Sequence, residues 1–337
     1  IKSKNNIIKI IFTDFQINNE EIYYLKEMID MLVAYKNCNQ ISISINSELD
    51  NKFMCWKFLY KLFRENFNIR WVSLKNNNLD DIIFGNIISS LILKRIRYLN
   101  ISGNNISNKG VYRLNTFLFK NQTLSILYMR DNKEITSEGI RLITNALKKH
   151  PNIIKLDLSN MDLSGSGEFV SGLLCEHKSL ETLILRNAKL NKIDMEYLSK
   201  ELCKNEKGLI NLDLSLNSSM KDDGLKEIGK IISNNKKLKS IGLDGLDLSM
   251  NNYLPIFKAI FKNRNIESYS LNMNSKLPIK GILNFFLKNS EVKELSIIPW
   301  DQENDNNGQF TLDQLHAIEK FHSNAPNVNI KGIEFIE

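Results

Sequence analysis

The sequence predicts an α/β fold of the solenoid kind: a horseshoe of stacked β–α units, with a parallel sheet on the concave face and helices on the convex face. Two observations predict it. An apolar beat, in its fullest form Leu-x-x-Leu-x-Leu-x-x-Asn-x-Leu, returns every 27 to 31 residues for most of the 337-residue chain. Between beats, apolar residues recur at four-residue spacing on a polar background, as in a helix with one buried stripe.

The opening apolar residue of successive units falls at Ile7, Cys38, Ile69, Ile96, Leu124, Ile153, Leu180, Leu209, Leu238, Ile266 and Val292, with a degenerate last copy near Ile330, Ile333 and Phe335. The cleanest copies are Ile69, Val72, Leu74, Asn77, Leu79 and Ile96, Leu99, Ile101, Asn104, Ile106. Apolar residues at the fourth and sixth positions alternate with polar ones, which describes a strand buried on one face. Such a strand hides that face only by lying beside the next copy. The ninth position is Asn46, Asn77, Asn104, Asn132, Asn217 and Asn274 in six copies. A buried amide there can satisfy backbone groups where the chain leaves the strand. Phe15, Met161, Ala188, Leu246 and Trp300 occupy the slot elsewhere and predict turns sealed by packing.

The second half of each unit reads as a helix. Gly110, Leu114, Leu118 and Asn121 mark one, Gly139, Ile143, Leu147 and His150 the next, and Gly224, Ile228, Ile232 and Asn235 a later one; Gly167 and Gly281 take the same glycine slot. Copies running from Asn46, Asn132, Asn217 and Asn274 carry one extra residue, predicted to bulge at one rim. A full helix in each unit of about 28 residues resembles the ribonuclease-inhibitor-like class of leucine-rich repeats, over nearly the whole chain. Ran GTPase-activating proteins share that class, so the resemblance carries GTPase activation as an alternative function. The acidic character usual in that family is absent, and no Arg or Asn falls in a matching functional motif.

No Gly/Pro/Ser-rich linker interrupts the beat, which points to a single domain, 1–337, of about eleven to twelve repeats. No stretch has the length of a membrane span, and no basic-then-apolar leader precedes the repeats; an opening at Ile1 fits a trimmed or processed form. Cys38, Cys55, Cys175 and Cys203 lack metal-ligand spacing and read as free thiols, so a reducing, cytoplasmic location is expected. The net charge of +7 is spread through helices that also carry Glu and Asp. It reads as a solvated outer face, with no nucleic acid expected.

The search for chemistry yields no catalytic residue, metal or cofactor. Phosphate-loop, His-Glu-x-x-His and Gly-x-Ser-x-Gly patterns are missing. Gly165-Ser166-Gly167 reads as a turn into a helix, and His150 and His177 as polar seals at helix ends. His316 and His322 are six apart, the wrong spacing for shared ligation. An acidic loop, Pro299 to Gln309, reads as a surface feature without a calcium-loop pattern.

What remains is the concave face, lined by the residues that interleave with the buried strand positions. The first column opens Lys9, Gln40, Trp71, Tyr98, Ile126, Lys155. The candidate partner-binding residues are Trp71, Tyr98 and Tyr128, with Lys75, Arg130, Lys155 and Arg186 around them, and then an acidic stretch with Asp213, Asp244 and Glu294. Aromatic and Arg side chains on a rigid sheet are the usual anchors of protein interfaces. The reading is a non-enzymatic scaffold that binds another protein; a structural component of a larger assembly is the third possibility.

Overall fold

The structure is a computed structural model that describes residues 8–15, 21–34, 38–45, 52–204, 208–246, 253–273, 279–288, 291–299 and 311–331. The chain divides into two compact units, Ile1–Asp162 and Leu163–Glu337. Asn46, Asn274, Trp300 and the acidic loop beyond Pro299 lie outside the described residues.

The first unit alternates strands and helices throughout: β1 (Ile8–Phe15), α1 (Glu21–Ala34), β2 (Cys38–Ile45), α2 (Lys52–Glu65), β3 (Trp71–Ser73), α3 (Asp81–Leu91), β4 (Tyr98–Asn100), α4 (Asn108–Lys120), β5 (Ile126–Tyr128), α5 (Ser137–Lys148) and β6 (Lys155–Asp157). Each strand pairs parallel with the next, and Lys9, Gln40, Trp71, Tyr98, Ile126 and Lys155 stand in one row. The second unit runs α6 (Gly167–Glu176), β7 (Thr182–Ile184), α7 (Lys192–Leu202), β8 (Asn211–Asp213), α8 (Lys221–Asn234), β9 (Ser240–Leu243), α9 (Tyr253–Lys262), β10 (Ser268–Met273), α10 (Ile279–Leu287), β11 (Glu294–Pro299), α11 (Leu312–Asn324) and β12 (Asn329–Lys331). Its row is Thr182, Asn211, Ser240, Ser268, Glu294 and Asn329, again all parallel. This is the predicted parallel sheet, with a helix between successive strands.

The core lies between strands and helices. Val72, Leu74, Leu99, Ile101, Leu127 and Met129 are sealed from the sheet side, and Phe84, Leu114, Phe117, Ile143 and Leu147 from the helix side. Within β4 and β5 only the central residue is buried, so its two neighbours look away from the helices. That alternation defines the strand face.

Two buried polar ladders hold consecutive repeats together. In the first, Asn104 Oδ1 accepts from the Asn77 and Leu79 N–H groups, while its Nδ2 donates to the Leu74 and Ile101 carbonyls. Asn132 repeats the motif on Ile101 and Met129, and Asn217 on Leu185 and Leu214. Met161, Ala188 and Leu246 are buried at the same slot and interrupt the ladder as predicted. The residue before the slot turns the chain through the left-handed region at Asn76, Gly103, Asp131 and Asn160 in the first unit and at Asn187, Leu216 and Gly245 in the second. Gly and Asn accept that conformation readily, whereas Leu216 holds it at a cost of about 1–2 kcal/mol. The extra residues after Asn132 and Asn217 form tight turns, closed by Ile135 and Met220 N–H groups donating back to the Asn carbonyls.

The second ladder closes the helices. Asn121 Nδ2 donates to the Lys94 carbonyl of the preceding turn, and its Oδ1 accepts from the Leu124 N–H. Asn235 and Asn263 do the same on Leu202 and Ile232. His150 substitutes an imidazole: Nε2 bonds the Asn121 carbonyl at 2.7 Å, and Nδ1 accepts from the Asn152 N–H at 3.4 Å. His177 Nδ1 likewise accepts from Ser179 and Leu180. A ring that donates at one nitrogen and accepts at the other is neutral. Burial correspondingly holds the pKa of His150, which is 2 % exposed, below its ordinary value of 6.5. The unfolded chain therefore binds the proton first. Its contribution to stability is complete above the ordinary histidine value and is lost as the pH falls from there through the depressed one. Thermal unfolding from about pH 7 to pH 5 is expected to show a shallower decline for His150→Asn than for the native protein; parallel declines would refute the assignment.

Candidate partner-binding face

Strand register decides which side chains meet. Trp71 and Tyr98 are direct partners across β3 and β4. Parallel strands lie about 4.8 Å apart, a distance at which flat rings on one face can stack. The rings are nearly parallel, with centroids 3.6 Å apart and planes 8° from coincidence. Tyr128 joins from β5, 5.6 Å from Tyr98 and tilted by 55°. Lys155 Nζ lies 5.2 Å from the Tyr128 centroid, within cation–π range. Asn100, which the sequence gives no special weight, donates to the Tyr98 hydroxyl at 3.5 Å and accepts from the Ser102 N–H. Burial raises the Tyr98 phenol pKa, so the group stays protonated.

The stack leaves Trp71 open: it remains 39 % exposed. Lys75 and Arg130 are exposed beside these strands, and Arg130 Nε donates to Asp131 at 3.0 Å. The first unit thus brings Trp71, Tyr98, Tyr128 and Lys155 into one line of successive contacts, with Lys75 and Arg130 on the same face.

The second unit places the remaining candidates differently. Asp244 is only 5 % exposed. It pairs with Arg186 at 3.4 Å, accepts from the Ser270 hydroxyl, and its backbone N–H donates to Ser215 Oγ. Burial is the main influence on its carboxyl and raises the pKa. Glu294 pairs with Lys331 at 2.8 Å. The open acidic stretch expected around Asp213, Asp244 and Glu294 is thus corrected: neighbouring repeats bury one carboxylate and pair another. Asp213 stays half exposed, its Oδ1 accepting from the Ser215 N–H. Gly242 makes room for it, since a Cβ there would lie 2.6 Å from that oxygen.

No family model matches the chain. Among curated proteins, NACHT, LRR and PYD domains-containing protein 14 of mouse is 33 % identical over 132 residues, covering 38 % of this chain and 13 % of that protein. Mouse ribonuclease inhibitor is 24 % identical over 186 residues, covering 53 % of this chain and 40 % of that protein. Among solved structures, the leucine-rich repeat-containing protein LegL7 from Legionella pneumophila superposes with a TM-score of 0.56 and 17 % identity, over 95 % of this chain and 100 % of that one. A chain of the yeast Rad7–Elc1 complex gives 0.52 and 13 %, over 96 % and 80 %. This chain has the leucine-rich repeat fold, in its ribonuclease-inhibitor-like form. It spans less than half the length of these curated relatives.

In this leucine-rich repeat fold the glycine-rich turn at Gly165-Ser166-Gly167 already holds an anion. Asp194 Oδ1 accepts from the Gly167 N–H at 2.8 Å and Oδ2 from the Gly165 N–H at 3.2 Å, so a carboxylate sits where a phosphate loop would place its ligand. Among the described residues no three His, Cys, Asp or Glu side chains converge as metal ligands. No helix among them is long and apolar enough to cross a membrane.

Proposed function

We propose that this protein is a scaffold that captures a protein partner on its strand face. Trp71, Tyr98 and Tyr128 act as anchors, and Lys75, Arg130 and Lys155 as the polar surround. The observation that carries the reading is the Trp71–Tyr98 stack, ordered by strand register yet open at Trp71. Rings already held in place lose little freedom on binding and present a large, flat area to a partner. A sheet with only a structural task has no need of them, since Ser268 and Ser240 occupy the same row in the second unit. There Arg186 and Asp213 offer directional polar contacts, and Asp244 positions the Arg186 guanidinium.

The relatives are compatible with this reading. Rad7 was solved in complex with Elc1, and another relative is by name an inhibitor of ribonuclease. Affinity capture from native lysate, comparing the native chain with Trp71→Ala and Arg130→Glu, tests the proposal. Both variants are expected to lose the partner, by about 2 kcal/mol or more for Trp71→Ala, while thermal unfolding stays nearly unchanged. Undiminished capture by both would refute it.

A further inference from the structure

A second surface stands apart from the strand face, on the turns that lead from helix into strand in the first unit. Three consecutive turns each project one apolar side chain: Phe67 after α2 is 67 % exposed, Leu93 after α3 is 87 %, and Phe119 in the last turn of α4 is 76 %. Among them stand Arg64, Arg70, Lys94, Arg95, Arg97 and Lys120, with Glu65 as the one acid in residues 64–70, 92–97 and 119–125. Glu65 pairs with Arg64 at 2.7 Å. Lys94 is nearly buried, donates to the Arg64 carbonyl at 3.1 Å and lies 4.2 Å from the Phe67 ring centroid, fixing that ring at the edge. Arg70 Nη1 is anchored on the Phe67 and Ile69 carbonyls.

The arrangement is not a general property of these turns. Arg70 and Arg97 are consecutive in one column, since the Arg97 N–H donates to the Arg70 carbonyl. The same column in the second unit runs Lys239, Glu267, Lys293, and both lysines pair with Glu267 at 2.6–2.7 Å. There an acid separates the cations; between Arg70 and Arg97 none does, and Arg95 and Arg97 lower the pKa of Arg70 by charge repulsion, after burial as the main cause. Cations in the last turn of a helix answer its dipole, but Arg70, Arg95 and Arg97 lie beyond the helix ends, where that account lapses.

We infer that this edge of the first unit docks onto an anionic lipid bilayer. Guanidinium groups suit headgroup phosphates, and apolar tips set singly between them suit the shallow interfacial zone, which accepts each tip independently. A purely acidic peptide such as polyglutamate would answer the charge but leave the three apolar tips in water.

Flotation with phosphatidylcholine vesicles, with and without about one-third phosphatidylserine, tests the inference. The native protein is expected to float only with the anionic vesicles. Arg95→Glu with Arg97→Glu is expected to lower the bound fraction about tenfold or more, and Leu93→Ser several-fold at constant charge. A matched control, Lys236→Glu with Lys237→Glu on the turn before β9, should stay within about twofold, and Trp71→Ala should bind as the native protein does. All these side chains lie on surface turns or the strand face, and thermal unfolding verifies that each variant folds. Failure of the native protein to float, or equal losses in the two charge-reversal variants, would overturn the inference. So would capture of a polyglutamate peptide that depends on Arg95 and Arg97 but not on Leu93, without vesicle binding; that result would assign the edge to an acidic protein.

Discussion

Replacing Asn104 by Leu is expected to lower the unfolding free energy by about 4 kcal/mol, although the two side chains are close in volume. Asn104 is 3 % exposed, so water cannot take over its bonds. Leu would leave the Asn77 and Leu79 N–H groups without their acceptor and remove a donor from the Leu74, Ile101 and Ser102 carbonyls. Each orphaned buried group costs about 1–3 kcal/mol, and most of these belong to the preceding repeat, so the loss spreads beyond one turn. An apolar residue fits the slot where the backbone supplies the missing partner. Ala188 is such a case: its carbonyl accepts from the Leu163 N–H at 3.0 Å, and its own N–H is served by Asn217. Urea unfolding followed by circular dichroism measures the effect, and a change under about 1 kcal/mol for Asn104→Leu would show that the ladder contributes little.

The same ladder shows what the sequence makes legible and where that ends. Period-two alternation fixes which residues of each strand face the core, so the row from Trp71 through Tyr98 to Ile126 could be written down before any coordinates and is the row found in the sheet. The asparagine slot was legible for the same reason: one residue type recurs at one offset. Partners contributed by other repeats were not. Asp244 reads as exposed from its own strand, but Ser270 comes from one repeat further on, and Arg186 from two repeats earlier. Asn100 resembles any other polar residue on the strand face until the hydroxyl of Tyr98 is placed within its reach. The cations of residues 64–70 and 92–97 disappear in a modest net charge, because all but one of the acids lie elsewhere in the chain. Composition averages over a surface, whereas the field at an edge depends on neighbours within about 10 Å.

Gly167→Ala is expected to cost about 3 kcal/mol or more, and Gly165→Ala, two residues away, about 1 kcal/mol. Both glycines belong to the turn that holds the Asp194 carboxylate, yet different constraints act on them. Gly165 has a φ of +75° with nothing within 4 Å of an added Cβ, so alanine meets only the steric penalty of a left-handed conformation. At Gly167 a Cβ would fall 2.4 Å from the Asp194 Cα and 2.7 Å from its carbonyl oxygen. Those are backbone atoms of the adjoining repeat, in the first turn of α7, and cannot rotate aside as a side chain would. Relief requires α6 and α7 to separate, which would stretch the Gly167–Asp194 bond and disturb the capping box that Asp194 forms with Asn191. Glycine at 167 thus records how closely α6 and α7 approach, rather than a need for backbone freedom. Equal costs for the two alanines in urea unfolding would show that conformation, not contact, keeps glycine at position 167.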